Sequence, residues 1–231
     1  MLVVVIGWVN WVNYYFINMS VQSNQIAYFQ TSRLKTGYLL ILAGQSNATD
    51  RFNITGNLNS LYQGAQPNVM TFYKTANTNA ANGSWVQANA GTNTTTGGGI
   101  SGAFNIGLIA GNRLNNTWGK ACYIVPTAVG GTVIADAAAT SWNVAHNTGI
   151  YSQDLYDRFI NHCTQAIAAV PVGITLTPVV VWVHQETDST IEAYANLYQT
   201  NFQSLINQAR IDLSLPNLKF LITALRSDYD P

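Results

Sequence analysis

The sequence contains few charged residues. Only 9% of its 231 residues are Asp, Glu, Lys or Arg, whereas an ordinary soluble domain has about 25%. Ten Lys and Arg balance ten Asp and Glu, so the formal net charge is zero. This balance excludes a basic nucleic-acid-binding surface of the usual kind, because such surfaces bind by neutralising phosphates. We therefore expect no nucleic-acid partner.

Cysteine and nucleotide-binding motifs are also scarce. The two cysteines, Cys122 and Cys163, have no C-x-x-C or other metal-type spacing. Two buried, small apolar side chains are the favoured interpretation, and a single disulfide is the alternative. The P-loop spacing is absent from the sequence, and the glycine-rich stretch GTNTTTGGG at 91–99 lacks the strand–helix context that nucleotide-binding loops need, which argues against a flavodoxin-like nucleotide binder.

A long uninterrupted hydrophobic run is missing as well. Residues 1–17 are strongly apolar, but Asn10 and Asn13 interrupt them and no Lys or Arg precedes them. A signal peptide has a basic start and a small-residue cleavage site, and a membrane helix has about 20 apolar residues. We expect no membrane insertion. The Val, Ile, Trp and Tyr content indicates a packing arm with β-structure, which predicts a homo-oligomer or virion assembly through residues 1–17.

Apolar and neutral polar residues make up for the missing charge. Hydrophobic residues form 48% of the chain, which is enough for the core of one α/β domain. The polarity comes from Asn, Thr, Ser, Gln and Gly. Neutral, amide-rich surfaces are typical of carbohydrate-facing proteins outside the cytosol, so we expect an extracellular or virion-associated protein, for example on a phage.

Short apolar runs alternate with helical patterns. The runs at 38–44, 121–131, 177–184 and 218–225 predict buried strands, and residues 101–116, 152–169 and 189–210 predict helices. Residues 51–99 predict a surface excursion of loops and short strands over one end of the sheet. This order predicts a three-layer α/β/α sandwich with a mainly parallel, doubly wound sheet. We assign residues 1–36 to an apolar arm and connector, and residues 37–231 to the domain.

Chemically capable residues follow three of the predicted strands. The segments are GQSN at 44–47, AVGGTVIAD at 128–136 and WVHQETD at 182–188. The carboxyl ends of parallel strands meet at one sheet edge, so these segments should converge. Taken singly, each also fits an ordinary role: a helix-capping serine, a glycine turn and a buried core histidine.

Together the three segments resemble the SGNH-hydrolase superfamily, in particular its sialate O-acetylesterase and acetylxylan esterase branch, over roughly residues 38–225. The family's G-Q-S-N turn is matched from Gly44 to Asn47, and its G-G-T turn from Gly130 to Thr132. The resemblance implies that Ser46 is the nucleophile and that the Gly131 amide serves the oxyanion hole. Trp142 stands where the family often has a Trp.

The third segment departs from the family pattern, which reads W-x-Q-G-E-[ST]-D or x-H-G-E-[ST]-D. Gln185 stands at the family's Gly, and His184 stands at the oxyanion-donor position. Either side chain can donate a hydrogen bond. Glu186 matches an acid that orients the catalytic histidine or holds the loop. The predicted substrate-binding residues are Gln45, Asn47, Gly130, Thr132 and Asp188.

The catalytic base is not at its expected place. Family members carry a D-x-x-H block beyond the last strand, whereas this sequence stops at RSDYDP. Three explanations stay open: the domain lacks its C-terminal segment and with it the base; His184 or His146 acts as the base; or the fold is a degenerate esterase kept for binding or architecture. His162 falls within a predicted helix and has the pattern of a structural residue.

The resemblance implies a carboxylic ester hydrolase, namely a serine-dependent carbohydrate O-acetylesterase that removes acetyl groups from sugars or polysaccharides. Its expected partner is an acetylated carbohydrate, and its mechanism requires no metal and no cofactor. The alternative is a catalytically inactive, esterase-like structural or glycan-binding protein of a virion or cell surface.

Overall fold

The computed structural model describes residues 35–49, 62, 64–73, 83–89, 105–136 and 138–222. The strands in this part of the chain are β1 (Thr36–Gly44), β2 (Ala65–Tyr73), β3 (Ser84–Asn89), β4 (Ala121–Pro126), β5 (Thr175–Val183) and β6 (Lys219–Ile222). The helices are α1 (Ser46–Thr49), α2 (Asn105–Trp118), α3 (Leu155–Ala168) and α4 (Glu192–Asp212), and a 3₁₀ turn, Asp188–Thr190, precedes α4. The predicted arm at residues 1–17 lies outside the described residues.

The six strands form one sheet in the order β3-β2-β4-β1-β5-β6. All neighbours are parallel except β2 and β3, which are antiparallel. Leu40 of β1 pairs with Ile124 of β4 on one side and Val179 of β5 on the other. The order in which successive strands are added to the sheet therefore reverses at β1. The carboxyl edge beside β1 is the topological switch point, which is where α/β sheets bind ligands.

Helices cover both faces of this sheet. Leu39 and Ile41 of β1 pack in a cluster with Phe159 of α3 and Leu205 of α4. Leu40 of β1 faces the other way and packs with residues of α2 such as Leu108. Because β1 is covered on both faces, it is a continuous apolar run rather than an alternating one. The prediction of a three-layer α/β sandwich with a mainly parallel sheet is confirmed.

Two details of the sequence prediction differ from the structure. The segment 51–99 supplies β2 and β3, which extend the sheet at one edge instead of passing over its end. In the helix predicted over residues 189–210, the apolar spacing predicts that Leu197 faces inward; on α4 Leu197 is exposed, whereas Phe202, Leu205 and Ala209 are buried. Their spacing of three and four residues continues from Tyr198, so the buried stripe passes beside Leu197.

The cysteine prediction is confirmed: Cys122 and Cys163 are both free and buried. Cys122 packs in the cluster on the α2 side of the sheet, and Cys163 in the cluster on the α3 side. Burial raises the pKa of the Cys122 thiol to about 12 and raises that of Cys163 as well. Both side chains therefore act as small apolar residues.

One further expectation concerns membranes. Among the helices in the described part of the chain, none is long and apolar enough to cross a bilayer.

Candidate active site

The first segment, at the end of β1, is tied to the ends of both neighbouring strands. Gly44 has a φ of +121°, and any Cβ at this position would overlap the Val183 carbonyl. Gln45 N donates to Val183 O at 2.8 Å, and Val129 N donates to Gly44 O at 2.9 Å. These bonds bring the ends of β1, β4 and β5 together. Only glycine fits at residue 44, because its backbone is left-handed and lies directly against another strand.

Ser46 begins α1 beside the glycine turn of the second segment. A Cβ built on Gly130 would lie 3.8 Å from Ser46 Cα and 3.9 Å from Ser46 Cβ, so a methyl group would just fit between the two residues. Gly131 follows with a φ of +70° and is exposed. Asn47 is the second residue of α1. The structure thus brings Ser46 and the Gly130–Gly131 turn together at the switch point.

Gln45 joins the first segment to the third. Its side chain is 1% exposed; Nε2 donates to a carboxylate oxygen of Glu186, and Oε1 accepts from Thr187 Oγ1 at 2.8 Å. A carboxamide meets both requirements at once, because one end only donates and the other only accepts. The substrate-binding role of Gln45 stays a prediction, and these contacts show that its side chain links the Ser46 turn to the third segment.

Asp188 and Thr132 fix the loop that follows β4. The buried Asp188 carboxylate accepts from Ile134 N at 3.1 and 3.2 Å. Burial raises the pKa of Asp188, and hydrogen bonds from the backbone oppose that rise. Thr132 Oγ1 donates to Val129 O at 2.8 Å and accepts from Trp142 Nε1 at 2.9 Å. Both residues were predicted to bind substrate, and both are buried beneath the loop they hold.

His184 lies in an aromatic pocket. Its ring stacks on Trp182 at 5.0 Å and on Tyr198 at 5.8 Å between ring centroids, and Nδ1 is 3.5 Å from an Asp188 carboxylate oxygen. Burial lowers the pKa of His184 to about 3, although the Thr132 backbone opposes the shift. An imidazole with so low a pKa is neutral at pH 7 and a weak proton acceptor. These surroundings favour a positioning role for His184 over that of a general base.

His146 lies between two carboxylates. Nδ1 is 3.0 Å from Asp136 Oδ1, and Nε2 is 3.9 Å from Asp154 Oδ1. Thr148 donates to Asp154 from both its backbone N and its hydroxyl at 2.8 Å. Burial raises the pKa of Asp154, but these hydrogen bonds outweigh it, so the pKa lies below its ordinary value. A His–Asp pair of this kind is the arrangement that orients a catalytic imidazole.

The third histidine has the predicted structural character. His162 is buried in α3, and its ring is 5.4 Å from that of Phe72 on β2. Trp142 is buried as well and meets Trp182 edge to face at 5.2 Å. Each of these side chains therefore packs between the helical layer and the sheet.

Two features of the site were not predicted. The hydroxyl of Tyr198 accepts from Trp182 Nε1 at 2.9 Å and interacts with the Gln185 side chain. Gln185 itself has a φ of +116°, which side chains rarely adopt. The sequence signal for the second feature was the family's glycine at this position. Tyr198 gave no such signal, because an aromatic residue on a helix normally predicts core packing.

Metal ligands are not clustered here. Within the described ranges, there is no group of three or more His, Cys, Asp or Glu residues that could hold a metal ion.

An α/β sandwich with a serine turn, a glycine turn and an acidic segment at its switch point defines a hydrolase of the SGNH type. The chain belongs to the carbohydrate esterase family of sialic acid-specific acetylesterases, whose family model matches residues 36–231. This membership confirms the resemblance seen in the three segments and assigns the chain to the carboxylic ester hydrolases.

Solved structures show the same fold. A protein from Arabidopsis thaliana has a TM-score of 0.60 and 22% identity, with 84% of this chain and 76% of that chain covered. NanS has a TM-score of 0.57 and 16% identity over 82% and 67% of the two chains. A carbohydrate acetylesterase from Xanthomonas citri has a TM-score of 0.53 and 18% identity over 80% and 41%. No curated protein sequence matches the chain.

Proposed function

We propose that this chain is a serine-dependent carbohydrate O-acetylesterase that removes acetyl groups from sugars or polysaccharides. The observation that carries the proposal is the proximity of Ser46 and Gly130 at the switch point, where a Cβ on Gly130 would lie 3.9 Å from Ser46 Cβ. A serine hydroxyl beside a glycine turn can have backbone amides on one side and bound ester on the other. That combination suits acyl transfer.

The proposed reaction has two steps. Ser46 Oγ attacks the acetyl carbonyl and loses its proton to a base, the sugar alcohol leaves with a proton, and an acetyl-serine ester remains. Water then attacks this ester, releasing acetate and restoring the Ser46 hydroxyl. The amides of Ser46 and Gly131 would stabilise the oxyanion in both steps. Loss of one such donor typically costs about 10²–10³ in rate.

The proton acceptor is not His184 in this proposal, because burial lowers the pKa of His184 to about 3. His146 has a carboxylate, Asp136, 3.0 Å from its Nδ1, which is the partner a catalytic histidine needs. His146 is therefore the candidate base. Replacing His146 with Gln tests this assignment, since a general base predicts a loss of kcat of about a hundredfold or more.

A second candidate function is an inactive, esterase-like glycan-binding or structural protein of a virion or cell surface. The burial of His184, the histidine in the third segment, favours it. Such a protein would bind acetylated sugar saturably and release no acetate, whereas the esterase would release acetate at the rate at which it consumes the ester.

Location and assembly are further proposals. The uncharged, amide-rich composition supports an extracellular or virion-associated protein whose small-molecule partner is an acetylated carbohydrate. The apolar composition of residues 1–17 supports a homo-oligomer or virion assembly formed through that arm. Sedimentation of the full chain and of a chain without residues 1–17 tests this: the arm proposal requires a larger particle only when the arm is present.

The test of the enzymatic proposal is acetate release from p-nitrophenyl acetate and from acetylated xylan. Ser46→Ala should lower the rate by about 10³-fold or more, because the nucleophile cannot be replaced by water alone. Ser204→Ala is the matched control, since Ser204 is an exposed serine whose hydroxyl donates to Thr200 O within α4. Equal rates for wild type and Ser46→Ala would overturn the proposal.

A further inference from the structure

Gln185 holds a backbone conformation that favours glycine. Its φ is +116°, directly after the end of β5 at Val183. The residues on both sides are anchored: the His184 ring stacks between Trp182 and Tyr198, and the Glu186 carboxylate bonds Gln45. Gln185 O also accepts from Ser189 N at 2.9 Å. Strained backbone that the surroundings enforce is concentrated at functional sites, so a functional role is expected at Gln185.

The Gln185 side chain interacts with Tyr198. Burial raises the pKa of the Tyr198 hydroxyl, while hydrogen bonds from Trp182 and Gln185 oppose that rise, as expected of groups that donate to the phenol oxygen. A carboxamide has two N–H donors and one carbonyl acceptor. One bond to Tyr198 therefore leaves a donor and an acceptor. Gln185 is only half-buried, so these groups can meet a ligand.

The position of Gln185 relative to Ser46 follows from the backbone hydrogen bond that Gln45 N donates to Val183 O at 2.8 Å. Ser46 is the residue after Gln45, and Gln185 is the second residue after Val183. Consecutive Cα atoms are about 3.8 Å apart, so Ser46 lies one residue step and Gln185 two residue steps from this hydrogen-bonded pair. A sugar ring whose ester lies on Ser46 would extend toward Gln185.

We propose that Gln185 is a specificity-determining residue, whose carboxamide is oriented by Tyr198 and hydrogen-bonds a hydroxyl of the acetylated sugar. The inference rests on the proposed function. It assigns to Gln185 a contact with the sugar rather than with the oxyanion, and the two roles differ in kinetics. A contact with the sugar hydroxyl acts on KM for sugar esters, whereas an oxyanion donor acts on kcat for every ester.

The experiment compares Gln185→Ala and Gln185→Gly with Gln203→Ala, a control at an exposed glutamine on α4. kcat and KM are measured for a mono-acetylated xylo-oligosaccharide and for p-nitrophenyl acetate, which has no sugar. We expect KM for the sugar ester to rise about tenfold in both Gln185 variants, and to rise less for p-nitrophenyl acetate, since about one hydrogen bond is lost. Unchanged KM values, or an equal fall of kcat on both esters, would overturn the proposal.

Melting temperatures separate the backbone from the side chain. Gln185→Gly should melt higher than Gln185→Ala, because glycine adopts a φ of +116° without a steric penalty. An improved melting temperature for Gln185→Gly together with wild-type KM values would show that only the backbone matters, which contradicts the proposed sugar contact.

Titration calorimetry with the same oligosaccharide distinguishes failure of this proposal from failure of the enzymatic one. If the wild type binds the sugar but releases no acetate, the enzymatic proposal fails, and the Gln185 contact still predicts about tenfold weaker binding by Gln185→Ala. If the wild type releases acetate and the Gln185 variants match it, only the Gln185 proposal fails. A wild type that neither binds nor hydrolyses the sugar overturns both.

Discussion

The carboxamide of Gln45 donates a hydrogen bond to the carboxylate of Glu186. The two residues are 141 positions apart in sequence, one in the turn after β1 and the other in the segment after β5. A second bond, from Thr187 Oγ1 to Gln45 Oε1 at 2.8 Å, fixes the orientation of the amide. Because Ser46 follows Gln45, the segment after β5 controls where the serine lies.

Replacing Gln45 should therefore impair both folding and activity. Gln45→Ala removes the hydrogen bonds that the buried Gln45 side chain makes with Glu186 and Thr187, which we expect to cost about 1–3 kcal/mol in the free energy of unfolding. Gln45→Glu should cost more, because it places a second carboxylate beside Glu186. Urea unfolding and kcat for p-nitrophenyl acetate check both variants. A Gln45→Ala variant as stable as the wild type would contradict the stabilising role of these two hydrogen bonds.

Asp188 provides a separate test of the loop after β4. Asp188→Ala removes the acceptor for Ile134 N and should destabilise the protein by about 1–3 kcal/mol, because a buried N–H is left unpaired. Asp188→Asn keeps one acceptor oxygen and should lose less. The comparison uses urea unfolding of the two variants at one pH. An Asn variant as unstable as the Ala variant would show that the hydrogen bond is not what Asp188 contributes.

The burial of His184 predicts a pH dependence of stability. Its pKa falls from an ordinary 6.5 to about 3 in the folded chain, so between these values the unfolded state binds a proton that the native state does not. Stability from this group is present above pH 6.5 and is lost as the pH falls. From pH 7 to pH 5 the loss should be about 2 kcal/mol, at about 1.4 kcal/mol per pKa unit.

The measurement is urea unfolding of the wild type and of His184→Gln at both pH values. The difference between the two pH values should be smaller in the variant by about 2 kcal/mol, whatever the substitution costs at pH 7. An identical pH dependence in both proteins would show that His184 titrates normally in the native state.

The sequence predicted the sheet well where the strands are buried on both faces. The apolar run at 38–44 and the runs beginning at 121 and 177 became β1, β4 and β5, because strands covered by helices on both sides need apolar residues throughout. β2 and β3 were harder to recognise. β2 carries Asn68 at a φ of +57° and an irregular register with β3, and these features interrupt the alternation of apolar and polar residues by which a half-buried strand is recognised.

The sequence also predicted which segments meet, because strand order and the carboxyl-edge rule require only the strands. It could not predict the direction of individual side chains. The hydrogen bonds of the buried Gln45 side chain depend on side-chain rotamers. The aromatic pocket of His184 depends on α4 as well, because Tyr198 of α4 stacks on the His184 ring. The family's glycine would adopt the positive φ at position 185 without strain, so the backbone strain becomes evident only because glutamine stands there.

The most direct test of the account is to identify the residue that a fluorophosphonate labels. Fluoride leaves as the serine oxygen bonds phosphorus, and peptide mass spectrometry locates the adduct. The account predicts one adduct on Ser46, absent from Ser46→Ala and retained in Ser204→Ala, with slower labelling in Gln45→Ala. An adduct on another residue, or no adduct on a chain that releases acetate, would contradict the assignment of Ser46 as the nucleophile.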